Sequence, residues 1–489
     1  MPLPGPYRRR GPSSPAPTGR GPTWPTPVAR TRCGYCARSR TCWTLTTSST
    51  GASCALRPRG CLEMALSDYQ RDMEGCSRCS SCKWVPFNQI KSWRFAKNCP
   101  SICRYNFHAY SGSGRMIIGL SLLTGRSELN DHVAEIVYRC QLCGACDTAC
   151  KVYRDDIDLT EVLLELRSHC VEQGFLMVEH MATIDALKRE DNVLGEPKAK
   201  RGEWAEGLPL KDINRERCEV LFHAGCRYSY DPDLRETVRG AARLLLEAGL
   251  EVGIAGAEES CCGGRAYELG YRGEAENYAE DLLSRVKASG ARILVTPCAD
   301  GYAHFRYLYP RMGKELPCEV LHITQLLERL VSEGRLRFRE EVPLLLTYHD
   351  PCHLGRMGEP FLGEWKGDKL QRPMSMKRSG RKGVYEAPRN LIRALPGAEL
   401  VEMERIREYA WCCGAGGGVY EAFPDFASWT ARERIEEALA TGAEGLATAC
   451  PWCVRVLRDA AQEMGAELPV YDLVDLALEA AGIAERERV

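Results

Sequence analysis

The residues that could do chemistry here are cysteines, and their spacing selects the chemistry. Cys140, Cys143, Cys146 and Cys150 form CxxCxxCxxxC, and Cys76, Cys79 and Cys82 form a second CxxCxxC, followed after a gap by Cys99-Pro100 and Cys103. Such a run lets one turning backbone present three thiolates to three irons of a cubane while the fourth cysteine reaches a neighbouring cluster. Two cubanes need eight thiolates, and nine stand in this part of the chain. Crossed ligation assigns Cys76, Cys79, Cys82 and Cys150 to one cluster. Cys140, Cys143, Cys146 and Cys99 go to the other, because a Cys-Pro pair marks the remote ligand; Cys103 is then spare. Zinc at each triplet is the rival reading, but remote fourth ligands match poorly the paired CxxC of zinc sites.

Adjacent cysteines, Cys261-Cys262 and Cys412-Cys413, are a different signal. Neighbouring side chains close poorly around one small tetrahedral ion, yet they can serve different irons of a larger cluster. The glycines that follow would let backbone approach a cluster where a Cβ would clash. Gly416, Gly417 and Gly418 lack the GK[ST] ending and the G-x-G-x-x-G pattern of phosphate loops.

The pairs belong to an internal repeat. The first copy reads LFHAGC ending at Cys226, SCCGG, then ILVTPC ending at Cys298; the second reads LTYHDPC ending at Cys352, WCCGAGGG, then ATACPWC with Cys450 and Cys453. Single and paired cysteines are separated by 34 residues in one copy and 59 in the other, and paired and final ones by 35 and 36. The longer interval accommodates a basic stretch from Phe361 to Tyr385, expected to be a surface loop with Lys366, Lys369, Arg372, Lys377, Arg378, Arg381 and Lys382 solvated. His223 and His349 each stand three residues before the first cysteine of a copy, with His353 close by. Such histidines are either satisfied structural residues or donors to cluster sulfur, where an N–H would raise the reduction potential. Cys170 and Cys218 are expected to be buried core thiols.

These residues need elements to position them. The 489 residues allow about three domains. Hydrophobic residues at 44% and charged ones at 27% fit a globular chain, and a net charge of −1 advertises no nucleic-acid partner. The apolar run Met116 to Leu123 is far short of the roughly 20 residues that span lipid. With 26 cysteines and no cleavable secretory signal ahead of them, metal is a better expectation than disulfides. Residues 1–63 show no apolar period and are expected to be disordered or translated upstream of a start at Met64, although Cys33, Cys36, Cys42, Cys54 and Cys61 could make a zinc knuckle. Residues 64–190 pattern as helix, with Asp158 and Glu161 as a capping box, and 191–214 read as a linker. Residues 215–340 and 341–489 alternate short apolar strands with amphipathic helices, the text of parallel βα units. The expected class is therefore α+β multidomain, a helical two-cluster part followed by two pseudo-repeated α/β domains.

From Met64 onward these motifs resemble the iron–sulfur subunits of the heterodisulfide reductase type, in which a helical ferredoxin domain is fused to two cysteine-rich CCG domains. The stretches EAPRNLIRALPGAELVEM and GEPKAKRGEW are similar to that family too. The family pattern C…CCG…CxxC is complete in copy two as Cys352, Cys412, Cys413, Cys450 and Cys453, which the resemblance implies cradle a non-cubane [4Fe–4S] cluster and form the reactive site. Copy one offers Cys226, Cys261, Cys262 and Cys298 but has Gly301 at the fifth position; four thiolates could hold a cubane, or Asp300 or Cys318 could substitute. The resemblance implies two cubanes passing electrons to the copy-two cluster, where a disulfide or related acceptor is reduced. It also implies a redox partner, either a flavoprotein such as an electron-transfer flavoprotein or bifurcating subunit, or a membrane cytochrome. The expected setting is a hetero-oligomer on the cytoplasmic side, with no membrane span of its own. The alternative is an electron-wiring subunit of a glycolate, lactate or glycerol-3-phosphate dehydrogenase-type complex without its own substrate.

Overall fold

The computed structural model describes residues 64–154, 156–366, 369–371 and 378–483, with backbone alone for 364–366 and 369–371. The zinc-knuckle cysteines, the expected extension and start, and the side chains of Lys366, Lys369, Arg372 and Lys377 lie outside the described residues.

The first part is helical, with one isolated antiparallel bridge between Trp84 and Lys97. Its main helices are α1 (Gly112–Leu123), α2 (Asp131–Tyr138), α3 (Ala145–Cys150), α4 (Leu159–Glu172) and α5 (Val178–Glu190). Ser111 and Asn130 cap α1 and α2 by accepting from the backbone N–H of Gly114 and Val133. The helix expected after Asp158 forms, but its capping box does not. Asp147, at the far end of α3, accepts instead from Leu159 N (2.6 Å) and Thr160 N (2.9 Å). Asp158 faces Lys151 at 3.1 Å, and Glu161 accepts from Tyr307 and Arg311, both at 2.7 Å. The reason is tertiary: α4 is buried along nearly its whole length, so its first-turn carboxylate meets a partner's guanidinium before its own backbone.

The repeat folds as two parallel sheets of matching order. The strands of the first are β1 (Lys211–Asp212), β2 (Val220–Phe222), β3 (Val252–Ile254), β4 (Ile293–Thr296) and β5 (Glu319–His322), ordered β1-β3-β2-β4-β5. The second contains β6 (Leu345–Tyr348), β9 (Glu399–Leu400), β10 (Gly445–Thr448) and β11 (Val470–Asp472), ordered β11-β10-β6-β9, which is the same sequence of positions. Strands this apolar are buried on both faces, as a parallel sheet requires. Covering helices include α6 (Arg235–Glu247), α7 (Arg272–Ser289), α8 (Ala299–Ala303), α9 (Ile323–Ser332), α10 (Glu386–Ala394), α11 (Pro424–Leu439), α12 (Pro451–Glu463) and α13 (Leu473–Ala480). One apolar core joins all three parts, with Val162, Leu294 and Leu446 in it; a second, around Leu244, Leu327, Leu391 and Ala477, packs the outer helices of the two copies together.

The segment 191–214 contributes β1 to the first sheet and buries Arg201 completely. The stretch between Phe361 and Tyr385 is not simply a solvated loop. It contains an antiparallel hairpin, β7 (Glu364–Lys366) with β8 (Lys369–Gln371). Arg378, expected to be solvated, is 5% exposed and stacks on Tyr307 with 3.8 Å to the ring centroid. Glu359 draws the chain in by accepting from Ser379 N and Lys382 N. Cys170 and Cys218 are buried in the core.

Candidate metal centres

The two helical-part triplets close on separate cavities. Cys76, Cys79, Cys82 and Cys150 line one, beside Ser113 and Tyr153; Cys99, Cys140, Cys143 and Cys146 line the other, beside Arg115 and Leu163. Cys103 lines neither, and burial near Lys97 and Arg405 leaves its thiol pushed up to about 11. Left-handed residues wind each triplet back on itself: Arg78 and Ser80 in the first, Leu142 and Gly144 in the second. The short helix α3 carries Cys146 to one cavity and Cys150, one turn later, to the other. A Cβ at Gly112 would sit 3.0 Å from the Cys146 Cβ, so this glycine lets α1 lie against the cavity. Burial raises the thiols of Cys82, Cys99 and Cys146, and pushes Cys150 up to about 12. Cys79 differs: it is the exposed cysteine among the described residues, and the Ser81 hydroxyl at 3.3 Å lowers its pKa.

In copy two the five predicted cysteines meet. Cys412 lies against Cys352 and also against Cys143 of the helical part. Cys413 Sγ is 3.3 Å from Cys453 Sγ, and Cys450 contacts both Cys453 and Cys298 of copy one. Contact with the Cys412 thiol draws Cys352 down to about 7 and Cys143 to about 6, burial opposing both. His349 accepts from Arg434 Nε at Nδ1 (3.0 Å), which leaves the proton on Nε2; that buried nitrogen has no hydrogen-bond partner, and the imidazole lies within 4.8 Å of Cys413 and Cys453. His353 Nδ1 is 3.4 Å from Cys352 Sγ, and its Nε2 is 2.7 Å from Glu268. Burial disfavours charge on His353, yet Asp300, Cys352 and Glu268 together hold its pKa well above the ordinary value.

In copy one Cys226, Cys261, Cys262 and Cys298 line a single cavity with His223 and His304. Gly301 and Asp300 reach it, whereas Cys318, just ahead of β5, does not line it. His223 Nε2, like its counterpart, is buried without a partner.

Several supports were invisible in the sequence because their partners are distant. Glu259 accepts from the Ala224 and Gly225 N–H groups and from Arg201, shaping the turn into Cys226. Arg389 donates to both Asp350 oxygens (2.6 and 2.9 Å), two residues before Cys352. Buried Arg167 donates to the carbonyls of Glu268 (2.8 Å), Gly417 (2.6 Å) and Cys140 (2.5 Å), tying three parts of the chain together.

The glycines after Cys413 serve chiefly to join domains. A Cβ at Gly416 would lie 2.5 Å from the Gln141 carbonyl oxygen, and one at Gly417 would lie 2.7 Å from that of Cys140. Gly417 also has a φ of +61°. Gly417→Ala should therefore cost about 1–3 kcal/mol, read as a lowered unfolding midpoint under anaerobic conditions.

The donor chemistry fits iron–sulfur clusters. Soft thiolates converge at every site, no described cysteine is in a disulfide, and two buried imidazole nitrogens are left for acceptors that the protein does not supply.

Comparison with known proteins agrees. The cysteine-rich CCG domain family matches residues 220–306 and 346–458, and the 4Fe-4S dicluster domain family matches residues 72–153. The chain is 28% identical over 433 residues to a subunit of the dihydromethanophenazine:CoB–CoM heterodisulfide reductase of Methanosarcina acetivorans, covering 84% of this chain and 95% of that one. It is 28% identical over 440 residues to the probable iron-sulfur-binding oxidoreductase FadF of Bacillus subtilis, covering 88% and 57%. Against the EtfAB:quinone oxidoreductase of Syntrophomonas wolfei it is 27% identical over 367 residues, covering 70% and 46%. With a dicluster domain followed by two CCG segments in one chain, the protein belongs to the heterodisulfide reductase-type iron–sulfur oxidoreductase subunits.

Proposed function

We propose that this subunit carries electrons from a redox partner to a two-electron acceptor, a disulfide or a related group, at its second CCG region. Clusters would supply the one-electron carriers: cubanes on Cys76, Cys79, Cys82 and Cys150 and on Cys99, Cys140, Cys143 and Cys146, a non-cubane [4Fe–4S] cluster on Cys352, Cys412, Cys413, Cys450 and Cys453, and a further cluster on Cys226, Cys261, Cys262 and Cys298. The observation that carries this reading is the unbroken succession of thiol sites. It begins at exposed Cys79, passes along α3 from Cys150 to Cys146, crosses where Cys143 meets Cys412, and ends where Cys450 meets Cys298.

Reducing a disulfide consumes two electrons and two protons and releases two thiols. His353 holds a proton at Nδ1 beside Cys352, with Glu268 at its other nitrogen. The exposed Cys79 end is where a partner would deliver electrons. That partner is a flavoprotein such as an electron-transfer flavoprotein or a bifurcating subunit, or a membrane cytochrome, in a hetero-oligomer on the cytoplasmic side. Among the described residues no helix is long and apolar enough to cross a membrane.

The test is disulfide turnover with a reduced viologen, alongside EPR after adding thiol under oxidising conditions. Turnover and a thiol-dependent signal are expected, both lost in Cys413→Ser with the helical-part signals retained. Full cluster content without turnover would favour the second reading, a wiring subunit without its own substrate. That reading draws support from the Gly301 departure in copy one and from the likeness to a quinone oxidoreductase.

A further inference from the structure

Copy one lacks the fifth cysteine of its motif, and the structure shows what stands in its place. In copy two, Cys453 on α12 brings its sulfur 3.3 Å from Cys413, the second member of the adjacent pair. The equivalent pair member in copy one is Cys262, and the side chain that meets it is His304, whose Nδ1 lies 3.6 Å from Cys262 Sγ. His304 follows α8 three residues after Gly301, so it occupies the same helix face that Cys453 uses in copy two. The helix is a π-helix over His304–Leu308, a local widening that often accompanies functional positions, whereas α12 is regular throughout.

The surroundings of His304 have changed to match. A Cβ at Gly264 would fall 1.7 Å from His304 Nδ1, so only glycine leaves room for this imidazole. In copy two the corresponding residues are Ala415 and, in place of the histidine, buried Val456. Three differences between the copies are thus coordinated: cysteine to glycine at 301, valine to histidine at 304 and alanine to glycine at 264. The second imidazole nitrogen also has its counterpart. His304 Nε2 faces Glu268 Oε1 at 3.8 Å, the carboxylate-behind-histidine arrangement that fixes a metal-binding tautomer with the lone pair on the other nitrogen. Glu268 is held for this by Arg265 at 3.2 Å and the Gly417 N–H at 3.2 Å. Asp300, the carboxylate that could compete for the fifth position, is turned toward His353 (3.5 Å) and Arg265 (4.0 Å).

We propose that His304 is the fifth protein ligand of the copy-one centre, making it a mixed cysteine–histidine iron–sulfur site distinct from the all-cysteine copy-two centre. The proposal rests on the reading that copy one holds a cluster. Replacing thiolate by neutral imidazole lowers the negative charge on the iron and raises the reduction potential. The two CCG centres then differ in potential, so the chain presents a gradient rather than two equivalent ends.

The test is pulsed EPR on the full-length, anaerobically purified protein, reading the signal that Cys226→Ser abolishes, with and without 15N-histidine labelling. A strongly coupled nitrogen that changes with the label is expected, and is expected to vanish in His304→Ala. It should be lost or changed equally in Gly264→Ala, which drives a methyl into the imidazole's space. His304→Cys should restore a cluster without that nitrogen, at a midpoint more negative by at least 59 mV, a tenfold change in a one-electron equilibrium. The proposal is overturned if no histidine nitrogen couples in the unmodified protein, if the coupling survives His304→Ala, if Asp300→Asn rather than His304→Ala alters the centre, or if His304→Cys fails to restore it. If Cys226→Ser removes neither iron nor signal, the underlying reading of copy one fails, and this inference with it.

Discussion

Arg389→Met should destabilise the protein by about 3–5 kcal/mol, the usual cost of stranding one member of a buried ion pair. Arg389 is fully buried and forks onto both oxygens of Asp350, which is itself 3% exposed and also accepts from the Arg407 N–H at 2.8 Å. Without the guanidinium, Asp350 keeps a buried charge that the arginine was holding below the ordinary carboxylate range against burial. The effect should reach the cluster site, because Asp350 stands two residues before Cys352 in the turn leaving β6. Anaerobic denaturant titration is the measurement, with the helical-part EPR signals as an internal reference. A double change, Arg389→Met with Asp350→Asn, should recover part of the loss, since it removes the stranded charge as well.

Cys150→Ser and Cys103→Ser should separate sharply. The first removes a thiolate from the cavity shared with Cys76, Cys79 and Cys82, and is expected to lower iron by about four atoms per chain and to delete one cubane signal. The second alters a thiol that lines neither cavity, so iron and spectra should be those of the unmodified protein. Cys99→Ser should behave like Cys150→Ser but on the other signal. Equal iron in Cys150→Ser and Cys103→Ser would rule out crossed ligation.

Spacing carried a great deal of this. CxxCxxCxxxC, the adjacent pairs and the repeated single-pair-single order are local, and local order is what a chain writes directly. The strands fell in the two repeats for the same reason: runs such as Ile293–Thr296 and Leu345–Tyr348 are apolar on both faces, and only a covered parallel sheet can use them. Failures came where a side chain had two possible partners. Asp158 and Glu161 spell a capping box, but Asp147 reached the backbone first and Arg311 took Glu161. Arg378 lies in basic text that suggests solvent, yet Tyr307 and the turn held by Glu359 bury it. Gly416 to Gly418 suggested approach to a cluster, and their closest neighbours are the carbonyls of Cys140 and Gln141 together with His180 and Leu269.

The amino-acid order alone determined which thiols exist, in what groups, and that helical and βα text alternate around them. Tertiary structure decided which groups touch: that Cys143 meets Cys412, that Cys450 meets Cys298, and that His304 stands where copy two has a cysteine. Ligand spacing within a motif is a property of a few consecutive dihedral angles. Contact between motifs depends on how whole sheets and helices bury their apolar faces against one another, and that packing is settled by residues far apart in the chain.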